Sequence, residues 1–79
     1  MANKQWLTEG DLAAIAGRFR RKAGRSRAQA ARDMGVSQTS IFHAEENPKE
    51  SLRKLRVRMI EAYSPFKVIV AVLLVKRKR

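Results

Sequence analysis

Residues 26–47 read SRAQAARDMGVSQTSIFHAEEN, and their pattern predicts two short helices joined by a tight turn. Ser26 and Gln29 have the spacing of a capping box, in which each side chain satisfies an unpaired backbone amide at a helix start. Gly35 can end this helix because it enters the left-handed backbone region at little cost. Ser37 can then cap a second helix. A turn this short holds the second helix at a fixed angle to the first.

The side chains of these two helices divide into an inner and an outer set. The first helix carries mostly alanine on its inner face, so another helix can approach it closely. The second helix is predicted to extend to about Glu46, with Val36 and Ile41 packed against its neighbours. The positions left to other faces are Gln38, Thr39, Ser40, Phe42 and His43.

A further helix is predicted on the amino-terminal side of this unit, from about Thr8 to Lys22. Its apolar residues fall at positions i, i+3, i+4 and i+7, namely Leu12, Ile15, Ala16 and Phe19. Thr8 is a suitable N-cap, and Gly24 follows the last turn.

On the carboxyl side, Asn47-Pro48 interrupts the helical pattern, although proline is tolerated at a first helical position. A fourth helix then has an apolar stripe of Leu52, Leu55, Met59, Ile60 and Tyr63. Its basic residues lie largely off that stripe: Arg53, Lys54, Arg56 and Arg58.

After Ser64-Pro65 the chain becomes rich in β-branched residues, which favours a β-strand. A single apolar strand needs a partner, and the simplest partner is the same strand of a second copy about a two-fold axis. We therefore predict a mainly α protein, with a four-helix domain at 1–63 and a dimerisation strand and basic tail at 64–79. The predicted dimerisation residues are Phe66, Val68, Ile69, Val70, Val72, Leu73 and Leu74.

The composition of the chain restricts the classes of function that it can have. The 79 residues carry a formal net charge of +11 and include no cysteine. A chain this short buries only about 60% of its unfolded surface, which leaves little room for a catalytic cleft, so we expect no enzyme activity. A compact basic domain most often binds nucleic acid. Without cysteine or an apolar amino-terminal signal we expect a cytoplasmic protein, and the eight apolar residues from Val68 to Val75 are too few to span a bilayer.

Residues 26–47 resemble the helix-turn-helix of the phage repressor and Cro-like (XRE) family of DNA-binding proteins. The resemblance rests on Ala31, Gly35, Val36-Ser37, Ile41 and Glu45-Glu46-Asn47, and with the flanking helices it covers about residues 8 to 63. It implies a lambda-repressor-like fold. Two positions depart from the family: Arg27 replaces a usual glutamine, and Ala44 stands where leucine is common.

In such a fold the second helix of the unit enters the major groove with its amino-terminal half. The side chains expected to read bases there are Ser37, Gln38, Thr39, Ser40, Phe42 and His43. The resemblance assigns phosphate contacts to Ser26, Arg27, Lys49 and Arg53, and it implies an inner ion pair between Arg20 and Glu45. The predicted function is a transcriptional regulator, most simply a repressor, that binds a palindromic operator in double-stranded DNA as a dimer.

Other interpretations remain open from the sequence. The outward residues could form an ordinary solvated face, and His43 has no second ligand or catalytic partner in view, so we expect no metal and no cofactor. The protein could also be the antitoxin of a toxin–antitoxin pair, with the apolar tail added to a toxin's sheet. A peptide bound to a membrane surface is a third possibility, but it needs a broad apolar face that these helices lack.

Overall fold

The computed structural model describes residues 7–69, which fold into four α-helices. They are α1 (Glu9–Lys22), α2 (Arg27–Met34), α3 (Gln38–Glu46) and α4 (Arg53–Tyr63). The predicted mainly α, four-helix architecture is confirmed for this part of the chain.

The first three helices begin at hydroxyl side chains, as their sequences predict. Thr8 and Asp11 form a capping box at α1, and Ser26 and Gln29 form one at α2. Ser37 caps α3 by accepting a hydrogen bond of 3.1 Å from the Ser40 backbone amide. Each cap satisfies a backbone donor that the helix itself leaves unpaired.

The turn between α2 and α3 consists of the three residues Gly35 to Ser37. Gly35 has a φ of +70°, which places it in the left-handed region that glycine adopts most readily. Its backbone amide donates to α2 carbonyls, and the Val36 amide donates to the Ala31 carbonyl at 3.0 Å. This geometry ends α2 and starts α3 without an intervening loop.

The core lies where all four helices meet, and α1 packs most extensively against α4. Its buried residues are Leu12, Ala16, Ala30, Ala31, Met34, Ile41, Ala44, Leu55, Met59 and Ile60. The alanines are fully buried or nearly so, which is consistent with the close approach of helices that their size permits.

Arg56 corrects the prediction that the basic residues of α4 lie off its apolar stripe. Its side chain is fully buried. The guanidinium donates to the Ala44 carbonyl (2.8 Å), the Asn47 carbonyl (2.9 Å) and the Glu9 carboxylate (3.0 Å). A buried cation is tolerated because all these acceptors face it. Helical periodicity alone cannot reveal such a set of partners.

Pro48 does not occupy the first position of the fourth helix. It lies in a turn, and α4 starts only at Arg53. Among the described residues, none of the four helices is long and apolar enough to cross a membrane.

The predicted carboxyl-terminal strand is not observed in its described part. Residues 64–69 have no regular secondary structure. Phe66 packs on Phe19 with ring centroids 5.8 Å apart, and the Val68 amide donates to the Glu61 carboxylate at 3.0 Å. These contacts direct residues 66–68 back onto α1 and α4, and within residues 7–69 no strand lies alongside them. Residues 70–79, with the rest of the predicted strand and the basic tail, lie outside the described part of the chain.

Candidate nucleic-acid interface

The outer face of α3 begins with two exposed polar side chains, Gln38 and Thr39. Within residues 7–69 neither side chain makes a hydrogen bond to the protein. The α3 amino terminus and the Gly35 turn hold both residues in place from the backbone. An amide and a hydroxyl held in this way can each bond to the edge of a base.

Ser37 and Ser40 flank this pair and are occupied differently. Their hydroxyl oxygens lie 2.9 Å apart, within hydrogen-bonding distance, and the Ser37 oxygen also caps α3. Ser37 is exposed and Ser40 is partly buried. The first role of these two hydroxyls is therefore to fix the start of α3.

Phe42 and His43 continue the same helix. The Phe42 side chain is 46% exposed, although aromatic residues of this size are usually covered. Its ring meets the His43 ring edge-on, with centroids 5.5 Å apart. The His43 Nδ1 atom is buried and has no hydrogen-bond partner among the described residues.

The four residues predicted to contact phosphate do not share one environment. The Ser26 hydroxyl caps α2, and Lys49 is exposed in the turn after α3. Arg53 is paired with the carboxylate of Glu9, so α1 and the start of α4 are joined at the surface. Arg27 is the most constrained of the four, because it belongs to a cluster of ionic side chains.

This cluster, here named the ion cluster, consists of Arg20, Arg27, Glu45 and Glu46. The Arg20 guanidinium contacts both carboxylate oxygens of Glu45, at 2.5 and 3.0 Å, and the side chains are only 8% and 2% exposed. This is the pair that the family resemblance implies. A planar, bidentate pair of this kind fixes orientation as well as distance, so Glu45 on α3 is held firmly against α1.

Arg27 completes the ion cluster from α2. Its guanidinium donates to Glu45 at 3.0 Å and to Glu46 at 2.7 Å, and it lies 5.0 Å from the centroid of the Phe42 ring. The side chain of Arg27 is 28% exposed and that of Glu46 is 51% exposed. The spacing of Arg27 from Glu45 and Glu46 in the sequence does not predict these pairs, because the residues meet only through the fold.

Gly17 was also missed. It lies on the face of α1 that meets Glu45, and a Cβ added there would stand 3.2 Å from both the Glu45 carboxylate and the Arg21 guanidinium. The missing side chain leaves the space that the ion cluster needs. A glycine in the middle of a predicted helix was the available signal.

A second network joins the far ends of α2 and α4. Arg25 forms two hydrogen bonds with Asp33, and the Tyr63 hydroxyl donates to the same carboxylate at 2.6 Å. The hydrogen bonds from Arg25 and Tyr63 lower the pKa of Asp33. Burial, and then the bond to Asp33, raise the pKa of Tyr63 to about 12.

The predicted dimerisation residues can be located only in part. Phe66 is 61% exposed, Ile69 is 84% exposed, and Val68 is partly buried against the core. Phe19, Tyr63 and Phe66 border a shallow depression on this side. Val70, Val72, Leu73 and Leu74 lie outside the described residues.

No group of three or more His, Asp or Glu side chains between residues 7 and 69 is placed to hold a metal ion. The chain matches no protein-family model, no curated protein and no solved structure.

Proposed function

We propose that this protein is a sequence-specific, double-stranded DNA-binding transcriptional regulator of the helix-turn-helix type, with a lambda-repressor-like fold. In this proposal α2 and α3 form the DNA-binding unit, and α3 enters the major groove. The protein acts most simply as a Cro-like repressor, occupying a palindromic operator as a dimer.

The observation that carries the proposal is the placement of Gln38 and Thr39. Both are exposed at the start of α3, directly after the Gly35 turn, and neither is used by the described part of the protein. A glutamine amide can bond to adenine through two atoms, and a threonine methyl can contact thymine. Such side chains add little to the stability of the domain, but they suit the reading of base edges.

The rigidity of the helix also supports this function. Base readout requires side chains held on a fixed frame. The Ser37 cap fixes the start of α3. The Arg20–Glu45 pair holds its inner face, and the hydrogen bonds of Arg56 hold its end. The net charge of +11 supplies the attraction to phosphate that any duplex-binding protein needs.

The test is a binding-site selection from random-sequence duplexes, followed by affinity measurements on the selected site. We expect Gln38→Ala to relax base preference at one position per half-site by about 1 to 3 kcal/mol. An unchanged preference in this variant would remove the proposed role of Gln38.

The matched control is Lys49→Ala, which also truncates one exposed side chain near α3. Because a phosphate contact carries no sequence information, this variant should weaken binding to selected and scrambled duplexes alike and lower the salt slope. Failure of the wild-type protein to select any motif would contradict the proposed function as a whole.

A further inference from the structure

The surface of α3 carries a negative charge where the proposed function requires contact with phosphates. Glu46 is half-exposed and bonds to the outer edge of the Arg27 guanidinium at 2.7 Å. Arg27 is itself one of the residues to which the family resemblance assigns phosphate contacts. A carboxylate and a phosphate are both anionic oxygen acceptors that match the guanidinium fork.

The rest of the Arg27 side chain is already held in place without Glu46. Glu45, only 2% exposed, accepts from the Arg27 Nε atom at 3.0 Å, and the Phe42 ring lies beneath the guanidinium at 5.0 Å. Phe42 belongs to the face proposed to read bases. The guanidinium therefore lies at the border of that face, with its buried edge fixed by Glu45.

We propose that Glu46 acts as an internal competitor of DNA, occupying on Arg27 the position that a backbone phosphate takes in the complex. Glu46 is then a positioning residue that keeps Arg27 oriented in the free protein and lowers its affinity for any duplex. This inference rests on the proposed function, and it adds a mechanism by which non-specific binding is limited.

Charge balance within the ion cluster supports the exchange. The two guanidinium groups of Arg20 and Arg27 face the two carboxylates of Glu45 and Glu46. When a phosphate replaces Glu46, Arg27 keeps one anionic partner on each edge, so the exchange does not leave it unpaired. Glu46 itself is returned to water, where a half-exposed carboxylate is readily solvated.

The test uses the full chain and a labelled duplex of scrambled sequence, with affinity measured at several salt concentrations. We expect Glu46→Gln to bind this duplex roughly twofold to fivefold more tightly, because no carboxylate has to be displaced from Arg27. The salt slope should stay close to that of the wild type, because the same phosphate contacts form in both complexes. Circular dichroism establishes that the variant retains its helices.

Two further variants separate this mechanism from a simple change in net charge. Glu50→Gln removes one negative charge from an exposed side chain in the turn after α3 and should change affinity less. In an Arg27→Gln background, Glu46→Gln should have no more effect than Glu50→Gln, because the guanidinium for which the two anions compete is gone.

The outcomes are distinct. If Glu46→Gln binds the duplex as the wild type does, or more weakly, the competitor role is wrong while the proposed function stands. The role is equally wrong if the gain persists without Arg27. If the wild-type protein binds no duplex under any condition, the proposed function fails and the inference fails with it.

Discussion

Glu45 is a carboxylate on α3 that is enclosed by two guanidinium groups, those of Arg20 and Arg27. Replacing it with Gln removes the charge that both cations need, so we expect Glu45→Gln to lower the free energy of unfolding by about 3 to 5 kcal/mol. Urea unfolding followed by circular dichroism measures this loss. Asp33→Asn removes a carboxylate from the exposed Arg25 pair and should cost only a small fraction of it. If both variants lost the same free energy of unfolding, the burial of the Arg20–Glu45 pair would be contradicted.

Gly17 and Gly10 both lie in α1 and provide a matched pair of substitutions. Alanine is favoured over glycine in helices by up to about 1 kcal/mol. At Gly10 the nearest atom to an added Cβ is 3.7 Å away, so Gly10→Ala should raise stability. At Gly17 the added atom meets the Glu45 carboxylate at 3.2 Å, and that group is held by two arginines. We therefore expect Gly17→Ala to lower the melting temperature; a rise equal to that of Gly10→Ala would contradict this.

Tyr63 is the chain's single tyrosine, so phenolate absorbance reports on it alone. Because its pKa is raised in the folded protein, the contribution to stability is complete below pH 10 and is lost as the pH rises toward 12. We expect the native absorbance titration to have its midpoint near 12, and that of the urea-unfolded chain to lie near the usual value of about 10. In Asp33→Asn the native midpoint should fall, since the carboxylate acceptor is lost. Identical native and unfolded midpoints would contradict the hydrogen bond from Tyr63 to Asp33.

At the scale of elements, the Gly35 turn sets the relation of α2 to α3. Its φ of +70° is unfavourable for residues with a Cβ, and no heavy atom lies within 4 Å of an added one. The cost of substitution is therefore conformational, about 1 to 2 kcal/mol for Gly35→Ala, and Gly35→Asn should recover part of it because asparagine tolerates this region better. Thermal unfolding of the two variants shows which of them is more stable. An asparagine variant less stable than the alanine variant would contradict it.

The helices and their starting residues were the part of the structure that the sequence predicted best. Caps such as Ser26 and Ser37 act within one turn, so their residues predict the helix starts. The pairing of Arg27 with Glu46 and the burial of Arg56 depend on contacts between distant segments, and periodicity carries no information on them. The predicted strand is absent from residues 66–69 for a related reason. The β-branched residues after Pro65 indicate a preference for strand, whereas the contact of Phe66 with Phe19 sets the path of the chain up to Ile69.

At the scale of the whole molecule, the proposed function requires a dimer, because a palindromic operator offers two half-sites. Two units related by a two-fold axis reach half-sites about 34 Å apart. Ile69 is exposed and directly precedes the remaining apolar residues. We expect Ile69→Glu to shift the protein toward monomer in sedimentation experiments and to weaken binding to a palindrome more than to a single half-site. Lys67→Gln lowers the net charge by the same one unit at a neighbouring exposed position, and it is the control for the change in charge.

A wild-type protein that sediments as a monomer at all concentrations would contradict the dimer. It would leave the single-unit DNA contacts to be tested separately by the Gln38→Ala selection.

Arg56 has a consequence for genetics. Its fully buried guanidinium joins the end of α3 to α4 and to the first residue of α1 through hydrogen bonds. Loss of these hydrogen bonds would let α3 tilt although every side chain on its outer face is unchanged. A screen for loss of the proposed regulatory function should therefore recover missense alleles at codon 56. These alleles would be mistaken for changes at DNA-contacting residues unless the thermal stability of the purified variants were compared.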